Sequence, residues 1–189
     1  MTERLGTMKR MVTCISDVWM SSDRLQLNTA KTEALWCASS RQQHIIPNAR
    51  CMRVCADHIK PGNYVRDLGI HIDSDMSIKT YVSRTASSCF AIASLRHIRS
   101  IRRCVSKPVL MSLVSAMVLS RLDHGSVTLN GITTRLMNRL QSVLSAAATL
   151  VCNSHKYDRI SPLLRDLHWL RFPKRIKFRF AVLVFHCRN

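Results

Sequence analysis

The sequence predicts an α+β protein that is mostly α: a helix with a short sheet first, then a basic helical bundle. Three observations carry this expectation. Short apolar runs bounded by turn residues are confined to residues 34–72. From Ser77 onward the apolar residues recur every three or four positions. The charge changes at the same place: residues 1–75 hold 10 Lys/Arg and 8 Asp/Glu, residues 76–189 hold 19 and 3, for net charges of +2 and +16. The chain therefore reads as two parts, 1–76 and 77–189.

In the first part, Leu5, Met8, Val12, Ile15 and Trp19 mark an amphipathic helix that Ser21, Ser22 and Asp23 end. Asn28 and Thr29 are turn formers. Ala34 to Ala38, with Trp36, reads as a short buried strand, and Arg41 to Ala49, with Pro47, as a loop containing a short strand near Ile45 and Ile46. Met52 to Ala56 reads as another strand. Pro61-Gly62-Asn63 is a turn, and Tyr64 to Ile72 follows as one half-buried strand in which Leu68, Ile70 and Ile72 alternate with Gly69, His71 and Asp73.

In the second part, Ser77 to about Arg103 is one long helical pattern, with Ile78, Val82, Cys89, Ile92, Leu95, Ile98 and Ile101 on one side. Ser106 and Pro108 start the next helix, which runs to about Asp123. Gly125 to Gly131 breaks the pattern. Thr133 or Thr134 caps a helix carrying Leu136, Leu140, Val143, Leu144, Ala147 and Val151. Ser161-Pro162 opens a short helix ending near Leu170. After Pro173, Ile176 to His186 fits both periods, and Ile176, Phe180, Leu183 and Val184 favour the helical one.

Composition excludes some classes. Hydrophobic residues make up 47% and charged residues 21%, which suits a packed globular chain. No run of 18 apolar residues suggests a transmembrane helix, and Met1 to Arg10 lacks the apolar stretch of a signal peptide. The eight cysteines are scattered, so they read as reduced thiols of an intracellular protein, the nucleus being one option. Only Cys51 and Cys55 are close. His44 and His58 lie nearby, but no second ligand pair has zinc spacing, so no metal site is expected.

The basic part points to a polyanion, most often nucleic acid. Arg96, Arg99 and Arg103 fall at i, i+3 and i+7, with Arg102 and Lys107 adjacent, while Leu95, Ile98 and Ile101 face the other way. No acid stands between Asp75 and Asp123, so these cations repel one another unless a partner or solvent screens them. Arg171, Lys174, Arg175, Lys177 and Arg179 form a second cluster beside Trp169, Phe172 and Phe178, aromatics better suited to core packing than to base stacking.

Five stretches, in order, resemble one family. Trp19 to Glu33, holding Leu25-Gln26-Leu27-Asn28 and Lys31-Thr32-Glu33, is similar to the segment after the catalytic aspartates of non-LTR (LINE-type, jockey-like) retrotransposon reverse transcriptases. Val65 to Asp73, Arg121 to Gly125, Leu140 to Ala148, and Leu167 to Leu170 with Arg175 to Phe178 resemble the family's following segments. The resemblance covers nearly the whole chain. It implies a residual palm-edge sheet, a thumb-like bundle and an RNA-directed DNA polymerase bound to a primer–template. It implies a general-acid-like role for Lys31 near pyrophosphate in an intact enzyme, and a primer-grip-like turn at Leu68 and Gly69. The family's metal-holding aspartates precede the first helix, so the chain reads as a fragment open at both ends. It is expected to be inactive alone, without cofactor or small-molecule substrate, and Mg²⁺ belongs only to the intact polymerase. His124 stands where the family usually has Tyr, and Ser126 where Asn is common. The alternatives are a non-enzymatic basic helical module that binds RNA or DNA, and a non-functional translated remnant.

Overall fold

A computed structural model of the chain describes residues 20–25, 27–38, 51–54, 57–91, 94–155 and 158–188. They form two compact units, Met1–Ser77 and Ile78–Asn189. The architecture is mixed α+β and mostly helical. All but the last residue of the helix expected over residues 3–20, and the strand near Ile45, lie outside the described residues, as do 92, 93 and the side chains of 91–97.

In the first unit a helical turn, Met20–Ser22, closes when the Leu25 amide reaches back to the Met20 carbonyl at 2.8 Å across Arg24, which has φ +56°. This is the left-handed helix ending. Two antiparallel hairpins follow. β1 (Met52–Val54) pairs with β2 (Asp57–Ile59), and β3 (Tyr64–Asp67) with β4 (Ile70–Asp73). β2 was not expected, because Asp57-His58-Ile59 has no apolar alternation to signal it. Leu35 bridges Gly62, but Ala34 to Ala38 is not a strand. Its backbone partners are divided between Gly62 and Ser74, so no ladder forms (Gly62 N to Ala34 O 2.9 Å, Ala38 N to Ser74 O 3.0 Å).

The single strand expected over Tyr64 to Ile72 is instead the β3–β4 hairpin. Leu68 (φ +45°) and Gly69 (φ +86°) form its two-residue tip. Positive φ at both positions matches the twist of the flanking strands, and Gly69 supplies half of that turn at no steric cost. Leu68 was expected to be inward-facing; it is 87% exposed, because the reversal places it at the tip. A left-handed leucine is strained, so Leu68→Asn is expected to raise the unfolding free energy of this unit by about 1 kcal/mol. Denaturant titration checks this, and a loss of stability would assign the Leu68 side chain a packing role.

In the second unit, helices α1 (Lys79–Ala91) and α2 (Ser94–Ile101) flank residues 92 and 93. α3 (Lys107–Val114) starts after Ser106 in extended conformation with Pro108 in its first turn, as expected. It continues through a π-turn, Ser115–Leu119, into α4 (Ser120–Asp123). Gly125 (φ +62°), a 3-10 turn Ser126–Leu129 and Gly131 make the break. α5 (Thr134–Cys152) has Thr133 at its N-cap and left-handed Asn153 at its end. α6 (Ile160–Asp166) starts one residue before Ser161 and stops short of Leu170. Left-handed His168 closes it: the Trp169 amide bonds the Leu164 carbonyl at 2.8 Å and the His168 amide the Arg165 carbonyl at 3.0 Å. α7 (Phe172–Arg188) is helical throughout.

α5 is the hub and packs against α1, α2, α3, α6 and α7. Its stripe of Leu140, Val143, Leu144, Ala147 and Val151 is buried, and meets a core that includes Val82, Cys89, Ile98, Leu110, Val114, Leu122, Leu164, Phe172 and Ile176. Burying each large apolar side chain contributes about 1.5–3 kcal/mol. α7 departs from expectation: Phe172 and Ile176 are buried, but Phe178, Phe180, Leu183, Val184 and Phe185 are exposed. Only the first turns of α7 reach the core.

Candidate nucleic-acid interface

The first unit carries Lys31, Leu68 and Gly69. Lys31 is exposed in a 3-10 turn, Thr29–Lys31, closed by its amide on the Asn28 carbonyl at 3.1 Å and by Thr32 Oγ1 on the same carbonyl at 2.9 Å. The Thr29 hydroxyl donates to the Asp57 carboxylate on β2, and Glu33 Oε2 accepts from the Arg66 amide on β3 at 2.8 Å. Both hairpins therefore brace the Lys31 turn. No group of three or more His, Cys, Asp or Glu side chains converges among the described residues, and Cys55 lies outside them.

The first basic cluster is rearranged. α2 ends at Ile101, where the Cys104 amide bonds the Ile101 carbonyl at 2.8 Å and turns the chain towards α3. Arg102 and Arg103 therefore sit in a turn, not on a helical face, and Ile101 is exposed instead of inward. The Arg96 side chain lies outside the described residues. Arg99 is exposed, Arg102 half-buried, and both line one groove of about 560 Å³. One face of α5, with Ser142, Ser145 and Thr149, lines it too. Those hydroxyls donate to their own helix: Ser142 to the Arg139 carbonyl at 2.7 Å, Ser145 to Gln141 at 2.9 Å, Thr149 to Ser145 at 2.9 Å. The guanidiniums of Arg99 and Arg102 are thus the groove's charged donors. Lys107 is exposed at the first turn of α3. Burial raises the pKa of the Cys152 thiol, and the charge of Lys107 offsets part of that rise.

The second cluster is partly spent on structure. Arg175 grips Asp123 with two bonds, Nε to Oδ1 at 2.5 Å and a terminal nitrogen to Oδ2 at 2.7 Å, and Arg179 bonds Oδ2 at 2.5 Å. Arg175 is 16% exposed and Asp123 12%, so this is a shielded bidentate pair joining α7 to α4. These arginines, with His124, Gly125, Ser115 and Ser120, line a second groove of about 650 Å³. Arg175, expected among the nucleic-acid-binding residues, thus has two of its guanidinium donors engaged by Asp123. Arg171 donates to Ser161 Oγ at 2.5 Å, while Lys174 and Lys177 are exposed.

Sequence reasoning missed several residues that position these clusters. Gln141 accepts the Phe172 amide at 2.8 Å and so anchors the start of α7 to α5. Arg121 and Arg139 donate to Ser88 and Ser83 of α1, each at 3.0 Å. The Tyr81 hydroxyl donates to the His124 carbonyl; burial, the largest effect, pushes its pKa up, so it stays protonated through the neutral range. Asp123 could have been flagged, because it is the first acid after Asp75 in a run of cations.

No family model, no curated protein and no solved structure matches the chain. Among the described residues no helix is long and apolar enough to cross a membrane.

Proposed function

We propose that the chain is the C-terminal, primer–template-gripping part of an RNA-directed DNA polymerase of the non-LTR retrotransposon type. It holds nucleic acid by its phosphates and does not polymerise by itself. The observation that carries this reading is uncompensated charge: residues 76–189 hold 19 Lys/Arg against 3 Asp/Glu, and among the described residues no acid lines the Arg99–Arg102 groove. The order of the family-like segments gives the charge its polymerase context.

The purified chain should bind labelled RNA and DNA with little sequence preference, losing about 10³-fold or more in affinity between 50 and 200 mM salt if six or more phosphates are contacted. It should not extend a primer on an RNA template with Mg²⁺ and nucleotides above a mock preparation. Salt-independent binding, or extension, contradicts the reading. A second reading, a non-enzymatic basic helical module, is favoured by the fact that Arg99, Arg102, Arg175 and Arg179, the cations lining the two grooves described above, all belong to the second unit. It expects equal affinity for a primer–template junction and a blunt duplex, whereas the polymerase reading expects the junction to win.

A further inference from the structure

The Arg99–Arg102 groove has a second chemical character that a phosphate-tracking surface does not need. Alongside the two guanidiniums it is lined by Phe90, Ala146, Leu150 and Ile160. Phe90 is 43% exposed on α1, although its neighbour Cys89 is fully buried. The groove's volume of about 560 Å³ falls within the roughly 300–1,000 Å³ of ordinary ligand pockets. Apolar walls with an exposed aromatic ring suit the flat face of a nucleobase, and the arginines suit the phosphates on either side of it. A duplex does not present the flat face of a base to such a pocket, because its bases are stacked and paired and only their edges and the backbone are accessible.

We infer that this groove is a binding site for an unpaired nucleotide of a single strand, with the base against Phe90 and its flanking phosphates on Arg99 and Arg102. The inference rests on the nucleic-acid reading above and specifies the strand state that this groove takes. RNA and DNA share the required chemistry, so both are probes.

The test compares oligouridine, oligothymidine and an abasic strand of equal length, each titrated against the full chain. The unmodified protein should favour the base-bearing strands by about 5- to 150-fold, the range expected for one stacked base. Phe90→Ala should erase that preference and leave abasic binding unchanged, while Phe90→Tyr should keep it. Loss on oligouridine alone also supports the site and assigns it to RNA. Equal affinity of the unmodified protein for abasic and base-bearing strands overturns the inference without needing any variant. So does an equal loss on all three strands with Phe90→Ala. In either case persistent salt-dependent binding leaves the parent reading standing, whereas failure to bind any strand removes both.

Discussion

Replacing Asp123 by Ala is expected to lower the unfolding free energy by about 2–4 kcal/mol, the range for removing one partner of a shielded ion pair. Arg175 is the reason. Its side chain is 16% exposed and makes two short bonds to Asp123, whose side chain is 12% exposed. Without Asp123 that charge is left partly shielded from water with no counter-charge. Arg179, at 47% exposure, recovers most of its hydration and contributes little to the loss. The change also removes one of only three acids in residues 76–189, which adds repulsion across the unit. A double variant separates the effects. Arg175→Met removes the stranded charge and keeps much of the volume, so adding it to Asp123→Ala should restore part of the lost stability. Chemical denaturation of both single variants and the double variant measures the coupling. A cost below about 1 kcal/mol for Asp123→Ala would place the pair among weak surface bridges.

The helical unit was largely legible because its signals are local. Ser106 and Pro108, Thr133, and the glycines at 125 and 131 mark ends that the structure keeps, and the α5 stripe from Leu140 to Val151 is buried as its spacing implies. Other endings were hidden because ordinary residues carry them. His168 takes the left-handed position that glycine usually advertises, so α6 seemed longer than it is. In the first unit, alternation through Leu68 to Asp73 concealed a reversal, since Leu68-Gly69 is an unusual two-residue turn. The site was less legible still. Spacing placed Arg96, Arg99 and Arg103 on one face only while the helix continued, and it ends at Ile101. Pairings such as Arg175 with Asp123 join residues 52 apart, and no local pattern encodes them.

Changing Arg96, Arg99, Arg102 and Arg103 together to Ala is expected to lower the log–log salt slope of nucleic-acid binding by roughly 3 to 4 units, about 0.9 per phosphate contact. Over a fourfold rise from 50 to 200 mM salt, roughly 100-fold of the wild-type fall in affinity should disappear. The loss should be alike for every sequence, because phosphates carry no base identity. Arg99 and Arg103 are exposed and Arg102 half-buried, so their truncation opens no large cavity, and circular dichroism should report intact helices. The second cluster gives the internal comparison. Arg175 and Arg179 are already engaged by Asp123, so removing Arg179 should change the slope by well under the roughly 0.9 unit of a single full contact. Lys174 and Lys177 are exposed, and each should count nearly fully if the strand passes along α7. An unchanged slope in the fourfold arginine variant, with the fold intact, would mean that the 96–103 segment is solvated and not bound. Phosphate contact would then have to fall to Arg171, Lys174 and Lys177.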